Sequence, residues 1–290
     1  MKQINNKTKI LIVGLGLIGG SYAKALTKKG YKVRAITLDS SDIEYAIDKG
    51  FLEDGTTAVT KEYLAWADVI VFSLYPHTFI EWLKKYGSMI KKETLCTDVT
   101  GVKSCILSDA QALMPEGVEF IAAHPMAGRE RSGVRHSDES VFHGANYIVV
   151  PTEKNSEEAI ECCKKLGEEL GFYRISVLDA ESHDRMIAFL SQLTHCIAVS
   201  LMCTNDTPGF EAYTGDSFRD LTRIAKINGE MWSELFIRNK RFLLDEMDNF
   251  INQFTTLRNM LENEDKDGMC EMMRISTQRR EKFDKPKVNE

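Results

Sequence analysis

Residues 9–21, KILIVGLGLIGGS, constrain this chain more than any other stretch. Ile10, Leu11, Ile12 and Val13 form an unbroken apolar run, as expected of a strand buried on both faces. The run breaks at Gly14, Leu15, Gly16, Leu17, Ile18 and Gly19, and a helical pattern follows through Tyr22, Ala23, Ala25 and Leu26. Gly14 lets the chain reverse tightly. Gly16 removes a side chain where backbone must approach a pyrophosphate, and Gly19 lets the helix pack on its strand. The helix N-terminus then offers unpaired N–H groups and partial positive charge to an anion. A bare GxGxxG is common, but the strand before it and the helix after it mark a dinucleotide site that contains all six residues from Gly14 to Gly19.

Residues 32–38 read as the second strand, ending at Asp39. A carboxylate about 20 residues beyond the third glycine is where such a fold binds the adenosine ribose hydroxyls. Asp39 would also repel a 2′-phosphate, which favours NAD over NADP. The competing role is a helix cap, with Ser40 and Ser41 next to it. Further strands are expected at 68–74, 94–98, 118–123, 146–150 and 173–177, with helices at 79–89, 102–113 and 156–170. Strands alternating with helices imply a doubly wound parallel sheet, with ligands off the carboxyl ends of its strands. Ser73, Asp98, Thr100, Gly101 and His124 then emerge on one rim, Ser73 and Asp98 as cofactor contacts.

The texture changes near Asp179. Residues 183–202 are strongly apolar, 217–226 begin another helix, and 231–261 read as one very long helix. Long apolar helices without a sheet to cover bury themselves against each other or a partner subunit. The chain therefore divides into a dinucleotide-binding Rossmann-type domain, 1–177, and an all-α substrate and dimerisation domain, 178–290, with homodimerisation through the latter. The tail from 278 to 290 is charged and expected to fray.

Composition narrows the remaining classes. A formal charge of −6 argues against broad nucleic-acid binding, which needs a basic surface. Seven cysteines, an odd number without a CxxC pair, suit scattered thiols in a reducing cytoplasm. No His, Cys, Asp and Glu cluster has metal-ligand spacing. No apolar run looks long enough for a bilayer, and the polar leader MKQINNKTK shows no secretory signal.

His124 follows a predicted strand, and Pro125 restricts its backbone to extended values. A histidine held there can accept a hydroxyl proton as hydride leaves the same carbon. His195 lies in an apolar helix, where a hydrogen-bonded core role competes with a ligand role. His183 is 12 residues earlier. That is roughly 120° away around a straight helix, so the two form no obvious common site. His77, His136 and His143 receive no role. Arg219 and Arg223 are one turn apart; either could grip a substrate carboxylate, or pair internally with Asp220. Trp232 reads as core more readily than as a lid.

Four segments together resemble the prephenate/arogenate dehydrogenases of tyrosine biosynthesis: GLGLIG at 14–19, DVTGVK at 98–103, HPMAGRERSG at 124–133 and FRDLTRIA at 218–225. The likeness spans roughly residues 9–261, and the HPMAG segment with the FRDLTRIA helix is its most specific part. It implies that His124 hydrogen-bonds the ring hydroxyl and assists hydride transfer. It further implies that His195 and Arg223 bind substrate, Arg223 through a carboxylate, and that Glu130 and Trp232 border and gate the pocket. A departure is Gly101, where some relatives carry a serine that contacts the hydroxyl; Thr100 is the candidate replacement. Arg129 stands where others have a smaller residue and is a candidate substrate determinant. The expected activity is NAD-dependent oxidative decarboxylation of prephenate, with arogenate the alternative substrate and an NAD-responsive binding protein the remoter one. The β-hydroxyacid dehydrogenases use a catalytic lysine on the first interdomain helix; residues 183–202 contain none.

Overall fold

The structure is a computed structural model that describes residues 4–284. The first strand, β1 (Lys9–Val13), leads through the glycine turn into α1 (Leu17–Lys28). Then follow β2 (Lys32–Ile36), α2 (Ser40–Asp48), β3 (Asp54–Thr56), α3 (Lys61–Trp66), β4 (Val69–Phe72) and α4 (Pro76–Tyr86). Next come β5 (Leu95–Asp98), α5 (Ser104–Leu113), β6 (Glu119–Pro125), β7 (Asn146–Val150), α6 (Glu157–Leu170) and β8 (Arg174–Val177). The eight strands form one sheet in the order β3-β2-β1-β4-β5-β6-β7-β8. Alternation along β1 divides the core. Ile10 and Ile12 pack with Tyr22, Leu26, Cys163 and Leu166 on one face, and Leu11 and Val13 with Leu64, Phe79, Leu83 and Ile106 on the other. Helices therefore cover both faces, as a doubly wound sheet requires.

Three features depart from the sequence expectations. The short strand β3 pairs with β2 although no apolar run announces it. Strand β7 runs antiparallel to β6, while the other neighbours are parallel. Residues 126–145 contain 3₁₀ turns but no α-helix. A parallel return needs a helical crossover, so without one the chain comes back beside β6 in the opposite direction.

Beyond the sheet, α7 (Ala180–Ile187) continues through a π-helical segment (Ala188–Leu193) into α8 (Thr194–Met202). This helix, Ala180–Met202, is long and apolar enough to cross a membrane by length and composition, which corrects the expectation that no such run exists. Its His183, Asp184 and Gln192 are buried and bonded within the fold, as in a core helix. Then come α9 (Asp216–Thr222), α10 (Gly229–Arg238), α11 (Lys240–Glu262) and α12 (Lys266–Glu281). The single helix expected over 231–261 is thus two, divided at Asn239. Asn239 is buried, and its amide donates to the Asp184 carbonyl at 2.9 Å and to Gln192 Oε1 at 2.7 Å.

The chain divides into two compact units, Met1–Lys240 and Arg241–Glu290. The first thus extends beyond the sheet, because α7 is tied to β6 and α5 by side-chain hydrogen bonds. In the second unit, α11 bears exposed Leu244, Phe250, Ile251, Phe254 and Leu261. The helix α12, which the sequence reading missed, continues through 278–281 where fraying was expected. The remainder of that expectation, from 285 onward, lies outside the described residues.

Candidate active site

The glycine turn is built as its motif requires. Gly14 has φ +96°, a conformation that L side chains resist, and a Cβ on it would overlap the Ser73 carbonyl. A Cβ on Gly19 would overlap the Gly14 carbonyl. Gly16 is different: beyond its chain neighbours and its own helix, nothing lies within 4 Å of where its Cβ would stand. It is also the N-cap of α1, and no side chain caps that helix. A 12-residue helix therefore begins with uncapped N–H groups under open space, which fits a dinucleotide pyrophosphate. Leu15 is buried in the core, so only its backbone faces this turn. Ser73 follows β4, and its N–H donates to the Val13 carbonyl at 2.8 Å, which sets the turn against the neighbouring strand.

Asp39 takes the capping role at α2: its Oδ1 accepts from Ser41 N–H at 2.8 Å, and the Ser41 hydroxyl together with that N–H lowers its carboxyl below the usual range. Asp98 must be corrected. It is fully buried, with Oδ2 accepting from Lys103 Nζ at 2.6 Å and Thr100 N–H at 2.9 Å, and Oδ1 from Ala123 N–H at 3.1 Å. A buried carboxylate satisfied on both oxygens has no side-chain contact to offer a cofactor. Thr100 is corrected with it. Its buried hydroxyl bonds to Asp98 and to the Val102 carbonyl, and cannot replace a serine facing substrate. Lys103 is fully buried and also donates to the Ala123 carbonyl at 2.6 Å, pinning the end of β6 just before His124.

His124 points its Nδ1 at His183 Nε2, 2.9 Å away. Burial, with His183 and Lys103 close by, holds the His124 imidazole well below the usual histidine range, so it is neutral. On its other side, a Cβ at Gly101 would lie 3.9 Å from His124 Cε1 and 3.6 Å from Leu235. Leu235 belongs to α10, one turn after Trp232. Trp232 stacks on His195, with ring centroids 3.7 Å apart. His195 Nδ1 lies 2.8 Å from the Ser191 carbonyl, so that nitrogen carries the proton and Nε2 is left as an acceptor. Burial lowers its pKa too, while Glu130 and Arg223 lie near enough to act on it in opposite senses.

Arg223 pairs with Glu130, the two joining the loop after β6 to the segment after α9. Arg219 turns instead to the Thr214 carbonyl at 2.8 Å and to Asp216. Arg129, the candidate substrate determinant, has its Nη2 donating to Asp138 at 3.0 Å and Ser140 at 2.9 Å, tying its own loop together.

The π-helical segment changes one geometric expectation. A π-turn takes one extra residue, which removes roughly 100° of the roughly 120° between His183 and His195. Both imidazoles then lie on nearly one side of the helix, with α10 stacked on His195 through Trp232 and His124 bonded to His183. His183 and Asp184, bonded in series to His124, are residues to which sequence reasoning gave no role. Their signal was an adjacent His-Asp pair at the start of an apolar helix.

The prephenate dehydrogenase nucleotide-binding domain model matches residues 22–175, and the prephenate dehydrogenase dimerization domain model matches 179–275. The chain belongs to the prephenate dehydrogenase family. The prephenate dehydrogenase of Bacillus subtilis is 32% identical over 91% of this chain and 72% of its own length. The cyclohexadienyl dehydrogenase of Zymomonas mobilis is 28% identical over 93% of this chain and 94% of its own. A crystal structure of the Aquifex aeolicus prephenate dehydrogenase with hydroxyphenyl propionate and NAD+ superposes with a TM-score of 0.88 at 29% identity, covering 98% of this chain and all of that one. The family thus joins a nucleotide-binding half to a helical half, as the sheet and the helices after Val177 do here.

Proposed function

We propose that the chain catalyses the NAD-dependent oxidative decarboxylation of prephenate to 4-hydroxyphenylpyruvate, carbon dioxide and NADH. The observation that carries this reading is a partly buried, neutral histidine at the same sheet rim as an uncapped glycine turn, in a chain of this family. The backbone from Gly14 to Gly19 would hold the pyrophosphate, with Asp39 toward the ribose and Ser73 beside the turn. Bound NAD supplies the hydride acceptor for the hydroxyl-bearing ring carbon. Neutral His124 takes the hydroxyl proton as that carbon becomes a ketone. The ring carboxylate then leaves as carbon dioxide, its electron pair completes the aromatic ring, and the proton returns to the new phenolic oxygen.

Arg223 would meet a substrate carboxylate, exchanging its partner Glu130 for it, and His195 would offer Nε2 as an acceptor. Trp232 and Glu130 border that end of the pocket, and Gly101 leaves space beside His124. In this reading the functional boundary falls between 177 and 178, and two copies associate through the helical half as a cytoplasmic homodimer. The exposed apolar residues of α11 and those of Ala180–Met202, Phe189, Leu190 and Met202, support such an association.

The deciding experiment is absorbance at the nicotinamide band with NAD and prephenate, then with arogenate. NADH formation with prephenate is expected. Formation with arogenate alone would move the reading to an arogenate dehydrogenase, and formation with both to a cyclohexadienyl dehydrogenase like the Zymomonas mobilis relative. None with either would withdraw the enzymatic reading.

A further inference from the structure

Hydrogen bonds lead inward from His124 to two residues that the proposed reaction has not used. Asp184 sits at the start of α5: its Oδ1 accepts from Lys103 N–H and its Oδ2 from Ser104 N–H, each at 2.8 Å. Two backbone donors at a helix N-terminus favour a carboxylate in its charged form, and against the opposing effect of burial the His183 hydrogen bond, with those of Ser104, lowers the Asp184 pKa. Its Oδ1 also faces His183 Nδ1 at 2.8 Å. A carboxylate only accepts, so His183 Nδ1 must carry a proton. His183 is fully buried, and a second proton on it would add a cation near the Lys103 ammonium. Its Nε2 is therefore a lone pair. His124 Nδ1, 2.9 Å from that lone pair, must then be the donor.

We infer that Asp184 and His183 are positioning residues that lock His124 as its Nδ1–H tautomer and thereby keep Nε2 as the base. The inference rests on the reaction proposed above and deepens it. When the substrate hydroxyl proton reaches His124 Nε2, both nitrogens of that ring carry protons, and the ring becomes a cation. Asp184 is the negative charge that faces it through His183, while Lys103 opposes it and Asp98 neutralises Lys103. The relay protons stay where they are. This has the logic of a nucleophile–base–orienter set, in which the third group fixes the tautomer and stabilises the charged ring.

The test has two arms. Nitrogen-15 spectra of the histidine side chains in the wild-type protein, without substrate, should show His124 as the Nδ1–H form and His183 likewise. A His124 protonated on Nε2 overturns the inference whatever the substrate is. In the second arm, Asp184→Asn and His183→Phe are compared with wild type for kcat, KM and the acidic limb of the kcat profile. The expected result for Asp184→Asn is a loss of kcat of about tenfold or more, with KM within about threefold and the limb moved to lower pH. A smaller loss, or a limb that stays in place, overturns the relay, because a purely structural role alters stability and leaves the base's pKa alone. Should His183→Phe fail to fold, Asp184→Asn and the wild-type spectra still decide. If the wild-type protein oxidises no cyclohexadienyl acid, the proposed function fails and the spectra alone judge the tautomer.

Discussion

Two strand-to-helix turns lie at the carboxyl rim of this sheet, and they treat their helix N-termini in opposite ways. After β1, the turn ends at Gly16 with no side-chain cap and open space above it. After β5, the turn ends at Lys103, and the Asp184 carboxylate is bonded to the N–H groups of Lys103 and Ser104. The same electrostatic opportunity is left for an external anion in one case and taken by an internal one in the other. The first turn is suited to bind something that comes and goes. The second is permanently filled, and it holds the His124 imidazole in place through Asp184 and His183. An unsatisfied group at one site and a fully satisfied network at the other therefore serve complementary ends.

Substitutions should separate the two turns. Lys103→Met strikes the filled one and leaves Asp98 as an uncompensated buried charge, so a loss of about 3–5 kcal/mol in unfolding free energy is expected from denaturant titration. Near-wild-type stability would mean that the buried pair contributes little. Arg223→Ala should raise the substrate KM by an amount equivalent to about 2–4 kcal/mol, as expected when a closed-site charge pair is lost. An unchanged KM would make the arginine structural. His124→Asn should reduce turnover about 100-fold or more while NAD affinity, measured by calorimetry, stays within about twofold. Turnover near normal would remove it from the reaction.

Gly16→Ala probes the open turn alone. Beyond its chain neighbours and its own helix, no protein atom lies within 4 Å of the new methyl, so the melting temperature should hold while NAD binding weakens by about tenfold. A fall in melting temperature with intact binding would reverse the argument. The smallest expected effect is in pH. Because burial lowers the His124 pKa, the acidic limb of kcat should lie below pH of about 6.5, the ordinary histidine value. The stability effect has the matching sign. As pH falls through about 6.5, the unfolded chain takes up a proton that native His124 refuses, so stability declines on that side and is unaffected above it. A limb at or above that value would contradict the burial of this imidazole.

Much of the fold was legible because periodicity and glycine spacing are local. The run from Ile10 to Val13, the turn from Gly14 to Gly19 and the alternation of strands and helices announce a doubly wound sheet without reference to distant residues. The short strand β3 was not legible, since Asp54, Gly55 and Thr56 have no apolar signal and pair only because β2 lies beside them. Nor was the break at Asn239, which rests on buried partners in α7 and the π-helical segment.

The sequence by itself determined where a dinucleotide could dock, that His124 stands near the carboxyl end of a strand (it lies within β6, one residue before its end, where the sequence placed it just after), and which helical half completes the chain, because these follow from short-range sterics and periodicity. Only the tertiary structure decided what each polar group does. Asp98 and Thr100 turn inward to Lys103, Arg129 turns to its own loop, and the π-turn rotates His183 and His195 toward one side of their helix. The physical reason is that a buried donor or acceptor must find a partner, and His124's partner, His183, is 59 positions away along the chain.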